Sequence, residues 1–259
     1  MHDLLIELVA GLAVGASMGL LGAGGAIFTV PVFGALLGHA PKDAFLEALA
    51  VTGAIAAVSA VLAAGRVDRR RALLFAGAGI VGTQAAAPVA VRMDARVQVV
   101  LFAMVAGFAA WRMWSSASGK SPPTASVEAA PRGGTAGTLL LGFAIGMLTS
   151  VLGVGGGFLL IPALVLREGL AMPVAVGTSL AVIAVNSTAG LLGQWWSGGF
   201  AASGFDLGAV GTTAGFGLLG SWAGARLAGR LPQATVRRAF AVLLALVAAW
   251  MASRTIFGG

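Results

Sequence analysis

Long apolar runs separated by short polar breaks set the pattern of this chain. The runs fall at roughly 4–21, 26–38, 44–64, 72–91, 97–114, 136–152, 157–166, 173–196, 207–228 and 236–252. They are rich in Ala, Leu and Gly and do not alternate with polar residues, so half-buried strands are not predicted. Runs of about 20 residues match the thickness of a bilayer's hydrocarbon core. Backbone at that depth must satisfy its own hydrogen bonds, which a helix does internally. The pattern therefore predicts an all-α membrane protein, a polytopic helical bundle. Two runs are too short to cross as ordinary helices: 26–38 and 157–166 would be about 20 and 15 Å long. The first run lacks a basic start and continues past any small-residue cleavage site, so a retained first helix is expected.

Each short run follows a glycine cluster, and the two clusters match. LGAGGAIFTVP (Leu21–Pro31) returns as LGVGGGFLLIP (Leu152–Pro162), an offset of 131. At that offset Gly11/Gly142, Gly15/Gly146, Gly22/Gly153, Gly24/Gly155, Gly25/Gly156 and Pro31/Pro162 are identical. Further on the offset becomes 138, as in Gly79/Gly217 and Gly82/Gly220. Between the copies, Ser115–Thr135 is polar and rich in Pro, Ser and Gly, the composition of a flexible linker. The expected organisation is a first transmembrane repeat over 1–114, a linker over 115–135 and a second repeat over 136–259.

Charge bears on orientation. If each half crosses four times, the 16 basic residues divide eight against eight between the two faces. If each short run turns the chain back, each half makes five passes. Arg66–Arg71, the linker, Arg167 and the Arg226–Arg238 group then share a face, and the division becomes twelve against four. Basic loops concentrate on the cytoplasmic side, so inverted repeats with an external N-terminus are favoured over parallel ones.

Composition agrees with the membrane reading. Hydrophobic residues make up 58% of the 259, and only 10% are charged, too few to cover a soluble domain of this size. A net charge of +7 without a basic face carrying interleaved aromatics suits lipid headgroups, not nucleic acid. There is no Cys, and the two His have no metal-ligand spacing, so no metal, cofactor or thiol chemistry is expected. The fragment GAGG lacks the strand, acidic residue and Gly-Lys-Ser of a nucleotide loop. An enzyme would need clustered His, Asp or Glu, and none is seen.

The glycines divide into two readings. Gly11, Gly15 and Gly19 form a helix stripe, and Gly220 and Gly224 repeat the spacing; such stripes let helices approach closely. Gly22, Gly24, Gly25, Gly153, Gly155, Gly156 and Gly157, with the helix-breaking Pro31 and Pro162, instead predict broken helices. Backbone donors freed there suit a small anion, and paired broken helices build the site of many secondary transporters. Polar residues in GTSLAVIAVNSTAG add candidates, since intramembrane polar groups are costly: Thr178, Ser179 and Asn186 for substrate, with Ser187 and Thr188 beside them. Glu47 is either a proton-sensitive coupling carboxylate or an acid complementing a helix start. Gln84 and Gln194 are weaker candidates. Trp111, Trp114, Trp195 and Trp196 read as interface anchors, and Trp222 as a deeper packing residue.

With these segments in view, the chain resembles the sulfite exporter TauE/SafE family. The resemblance rests on GLLGAGGAIFTVPVF, SVLGVGGGFLLIPALV, AVGTSLAVIAVNSTAG, the central hydrophilic loop and the basic ending GARLAGRLPQATVRRAFAVLLALVA. It covers nearly the whole chain. The first half departs from the second: Ala26 replaces a glycine, and Phe45-Leu46-Glu47 stands where the second half has Gly177-Thr178-Ser179. The resemblance implies export or uptake of small anions such as sulfite or an organosulfonate. The expected function is secondary transport of a small sulfur-containing or carboxylate anion by alternating access, in a bacterial inner membrane. An anion channel or a non-transporting scaffold is the alternative. Expected partners are the anion, the bilayer, a coupling proton or cation, and in a homo-oligomer a second copy of the chain.

Overall fold

A computed structural model describes residues 2–22, 24–118, 134–152, 157–200, 204–228 and 230–232, with scattered positions beyond. The described residues are almost entirely helical, and no strand occurs among them. The helices are α1 (His2–Leu21), α2 (Gly24–Pro31), α3 (Pro41–Leu62), α4 (Arg69–Arg92), α5 (Ala95–Ser118), α6 (Thr135–Leu152), α7 (Gly157–Pro162), α8 (Met172–Trp196) and α9 (Leu207–Ala228). Five of them, α1, α3, α4, α6 and α8, are long and apolar enough to cross a membrane. Gly153, Gly155 and Gly156, most of the linker and most of the basic ending lie outside the described residues.

The two short helices share one local design. Each ends in a proline, Pro31 or Pro162, and passes without a gap into a π-helical turn, Val32–Leu36 or Ala163–Arg167. Proline has no N–H to give to the α ladder, so the chain changes its hydrogen-bond step there. Leu37 N–H reaches Val32 O at 3.0 Å, and Glu168 N–H reaches Ala163 O at 3.1 Å. Gly38 (φ +74°) and Gly169 (φ +70°) then reverse the chain into α3 and α8. The prolines thus alter the helix without severing it. The sharp turn before α2 is at Gly22, with φ +78°.

Contacts fix the helix directions. A Cβ on Gly53 would meet Ser187, and one on Gly190 would meet Leu49, so α3 and α8 cross antiparallel. Gly11 faces Thr213, Gly15 faces Gly217 and Gly19 faces Ser221, so α1 runs parallel to α9. Gly142 faces Phe75 and Gly146 faces Gly79, so α6 runs parallel to α4. The helices of each half therefore pack crosswise onto the other half. The close approaches recur at the sequence offsets: a Cβ on Gly15 would lie 1.8 Å from Gly217 O, and one on Gly146 2.1 Å from Gly79 O. The stripe read as packing does pack. This arrangement is compatible with two inverted repeats.

Candidate functional site

Two faces of the bundle can be told apart by their polar ties. On one, which we call the basic face, Arg71 at the start of α4 binds Asp68 (Nη1–Oδ2, 2.6 Å) and Glu168 (Nε–Oε2, 3.1 Å). Thr138 of α6 donates to the other Glu168 oxygen at 2.8 Å, and Thr178 of α8 accepts from Asp68 N–H at 2.9 Å. Glu168 is only 3% exposed, so each of its oxygens needs a partner. Burial opposes ionisation of Asp68, but hydrogen bonds and charge from Arg71 and the Arg70 N–H outweigh it and lower its pKa.

On the opposite face the tie is differently made. Glu47 is fully buried in α3. One oxygen accepts from Asp206 N–H at 2.9 Å, and the other lies 2.7 Å from His39 Nδ1. Asp206 in turn caps α9 through Ala209 N–H at 3.0 Å. Glu47 thus stands at a helix start, but that of α9, 159 residues on. Thr178 of α8 serves the start of α4 in the same way, accepting from the Asp68 N–H. Gln84 and Gln194 donate to Ala189 O and Ser150 O at 2.7 and 3.0 Å, joining neighbouring helices.

A cavity of about 920 Å³ lies at the basic face, between the ends of α1, α3 and α9 and the start of α8. Its inner wall includes Gly19, Leu20, Val176 and Leu180. These residues adjoin the Gly22 turn, where a Cβ would sit 2.9 Å from Ser179 Oγ and 3.0 Å from Val176 Cα. On the opposite face a cavity of only about 150 Å³ lies among Lys42, Asp43, Gln98, Ser150, Gln194 and Gly199.

The structure brings some of the expected site residues together and separates others. Gly22 and Ser179 adjoin, and Ser179 Oγ donates to Val176 O at 2.8 Å. Gly24 and Gly25 open α2, Gly157 opens α7, and these two short helices contact one another. Thr178 is turned away, onto α4. Asn186 lies seven residues beyond Ser179, about 10 Å along α8. It is fully buried, and both amide atoms lack a hydrogen-bond partner among the described residues. Its amide sits in the notch left by Gly79, where a Cβ would come within 2.3 Å of Oδ1. In the other half the matching notch, Gly217, receives the apolar Ile55. Ser187 Oγ, facing Gly53, is also unpartnered. Trp111, Trp114, Trp195 and Trp196 are exposed. Trp222 is half exposed and lies on the large cavity, under Arg226. Sequence reading missed Arg71 and Glu168; the available signal was an acid directly after the second short run.

Comparison with known proteins supplies the class. Two proteins of Xylella fastidiosa, strains Temecula1 and 9a5c, are each 25% identical over 185 residues, which is 70% of this chain and 70% of theirs. Both carry the name "Probable membrane transporter protein". No solved structure matches the chain. The family model for Sulfite exporter TauE/SafE matches residues 7–251. With that match spanning the helices, the Gly22 turn and the cavity beside it, this multi-pass membrane protein belongs to the TauE/SafE family of transporters.

Proposed function

We propose that the chain is a secondary transporter that exports a small anion, such as sulfite, an organosulfonate or a small carboxylate, across a bacterial inner membrane. The observation that carries this reading is the large cavity ending beside the Gly22 turn and Ser179, matched by a much smaller cavity on the opposite face. That asymmetry suits one state of an alternating-access cycle, open to the basic side. Main-chain donors of the glycine segments hold the anion, as at other helix starts. Asn186, with both amide atoms unpartnered, is a second contact along α8. Membrane potential contributes about 2.3 kcal/mol per charge per 100 mV and favours anion exit from a negative interior. Glu47, paired with His39, is the proposed coupling carboxylate.

Flux in proteoliposomes across sulfite, thiosulfate, sulfonates and small carboxylates tests the reading. Wild type should move at least one of these anions. Gly22→Val should lower the rate more than tenfold, because positive φ strains a β-branched residue and its side chain would press on Ser179 and Val176. Ser179→Ala, which leaves the backbone unaltered, should also slow transport. Normal rates in both variants would remove the glycine turn from the site.

Inverted repeats are part of the proposal, and the absence of Cys makes them simple to check. Single substitutions Gly38→Cys, Arg69→Cys and Arg230→Cys are labelled with an impermeant thiol reagent in cells. Arg69→Cys and Arg230→Cys should react from one side and Gly38→Cys from the other. Labelling of Arg69→Cys and Arg230→Cys from opposite sides, as parallel repeats of four crossings require, would exclude the inverted arrangement.

A further inference from the structure

The cavity on the basic face is built differently from a passage for a hydrated inorganic ion. Its wall is largely apolar, with Leu20, Leu62, Met172, Val176, Leu180 and Trp222 among its residues. Its charged groups are two arginines, Arg66 and Arg226. Neither has a carboxylate partner among the described residues, whereas Arg71, on the same face, is held by both Asp68 and Glu168. The Arg226 guanidinium lies over the Trp222 ring one turn earlier, its Cζ 3.6 Å from the ring centroid. Stacking fixes the plane of a guanidinium and leaves its N–H edges free for a planar or tetrahedral oxyanion. The deeper hydroxyls, Ser59 and Ser221, bond to one another at 2.6 Å. At about 920 Å³ the space is at the upper end of the range for small organic ligands, roughly 300–1,000 Å³.

We propose that Arg66 and Arg226 are the head-group recognition residues of this cavity, and that its preferred ligand is an organic anion with an apolar body. The sulfonate or carboxylate head meets the guanidinium edges, and the body lies against Trp222 and the leucines. An inorganic oxyanion gains only the first of these contacts and would leave the apolar wall wet. This deepens the transport reading and rests on it for calling the ligand a cargo. An anionic lipid presents the same chemistry, a charged head on an apolar body, so the two sources must be separated by experiment.

The test is equilibrium binding to the purified full chain, with sulfite and a series from methanesulfonate to hexanesulfonate, beside flux in proteoliposomes. Each added methylene should tighten binding roughly threefold to fourfold. Butanesulfonate should bind far more tightly than sulfite. Arg66→Gln and Arg226→Gln should each weaken butanesulfonate binding at least tenfold with an unchanged size-exclusion profile, and Arg226→Lys should restore only part of the loss. Both residues are exposed, so the variants should fold; a variant with an altered profile is replaced by the lysine form at that position. Equal affinities for sulfite and butanesulfonate, or wild-type binding in both glutamine variants, overturn the proposal. So does loss of butanesulfonate binding on adding phosphatidylglycerol to phosphatidylcholine liposomes while flux persists, which would assign the arginines to lipid. Binding as expected with no flux of any anion would instead defeat the transport reading and leave the site standing. Flux of sulfite with no arginine-dependent binding would do the reverse.

Discussion

Gly15→Leu is expected to destroy the folded protein, whereas Gly211→Leu is expected to be tolerated. Both glycines lie inside long helices, so intrinsic helix propensity favours leucine by about 1 kcal/mol at either site. The surroundings decide the outcome. A Cβ on Gly15 would stand 1.8 Å from Gly217 O and 2.7 Å from Gly217 Cα. Both are backbone atoms of α9, so no side chain can swing aside. The two parallel helices would have to separate along their whole contact, where Gly11, Gly19, Gly220 and Gly224 also sit against opposing backbone. In lipid, helices are held together chiefly by close packing, with no hydrophobic term between them. The cost should therefore fall at the severe end of single substitutions, about 4–5 kcal/mol. Gly211 belongs to α9 as well, but nothing lies within 4 Å of its would-be Cβ. Yield of monodisperse protein and melting temperature in detergent should separate the two variants clearly. A Gly15→Leu protein as stable as Gly211→Leu would mean that α1 and α9 are not in contact.

That contrast also marks what the sequence could and could not reveal. Hydropathy located the helices to within a few residues, because lipid demands a continuous apolar run of nearly fixed length. The same uniformity hides partners: with apolar residues on all sides, no stripe says which helix a face meets. Gly15 stands in a spaced row of small residues, as do Gly220 and Gly224, and Gly217 is the repeat match of Gly79, yet nothing in these positions says that a first-half helix packs on a second-half one. The glycine cluster did signal a turn, and the structure puts it at Gly22, since positive φ suits glycine. From sequence Glu47 is either a coupling carboxylate or an acid at a helix start, and the helix start nearest to it along the chain is that of α3. It lies at the start of α9 instead, because crosswise packing brings that backbone N–H to it. Thr178 and Ser179 are both substrate candidates in the sequence, but neighbours on a helix point about 100° apart, and Thr178 faces the start of α4. Arg71 and Glu168 passed unnoticed because 97 residues separate them, and each looked like an ordinary loop charge.

Removing Arg71 should also be strongly destabilising, and adding a further substitution should repair it. Arg71→Met leaves Glu168 buried at 3% exposure with Thr138 as its remaining side-chain donor. A buried carboxylate that loses its cation costs about 3–5 kcal/mol, more than the pair contributes when intact, because the charge stays desolvated. Arg71→Met with Glu168→Met removes both charges and fills the space with apolar atoms, which is often neutral. The expected result is a low melting temperature for Arg71→Met and near recovery in the double variant. Asp68 makes the same network sensitive to acid. Its carboxyl pKa is lowered in the folded chain by Arg71 despite partial burial, so the stability it lends is complete above the unfolded value of 3.8 and fades as pH falls through the lower folded value. Wild type should therefore lose stability below about pH 4 more steeply than Arg71→Met, in which Asp68 has no guanidinium to hold it ionised. If Arg71→Met melts with wild type, the network ties nothing together. If the double variant stays as weak as the single one, the damage comes from lost hydrogen bonds between α4 and the Glu168 turn, not from a stranded charge.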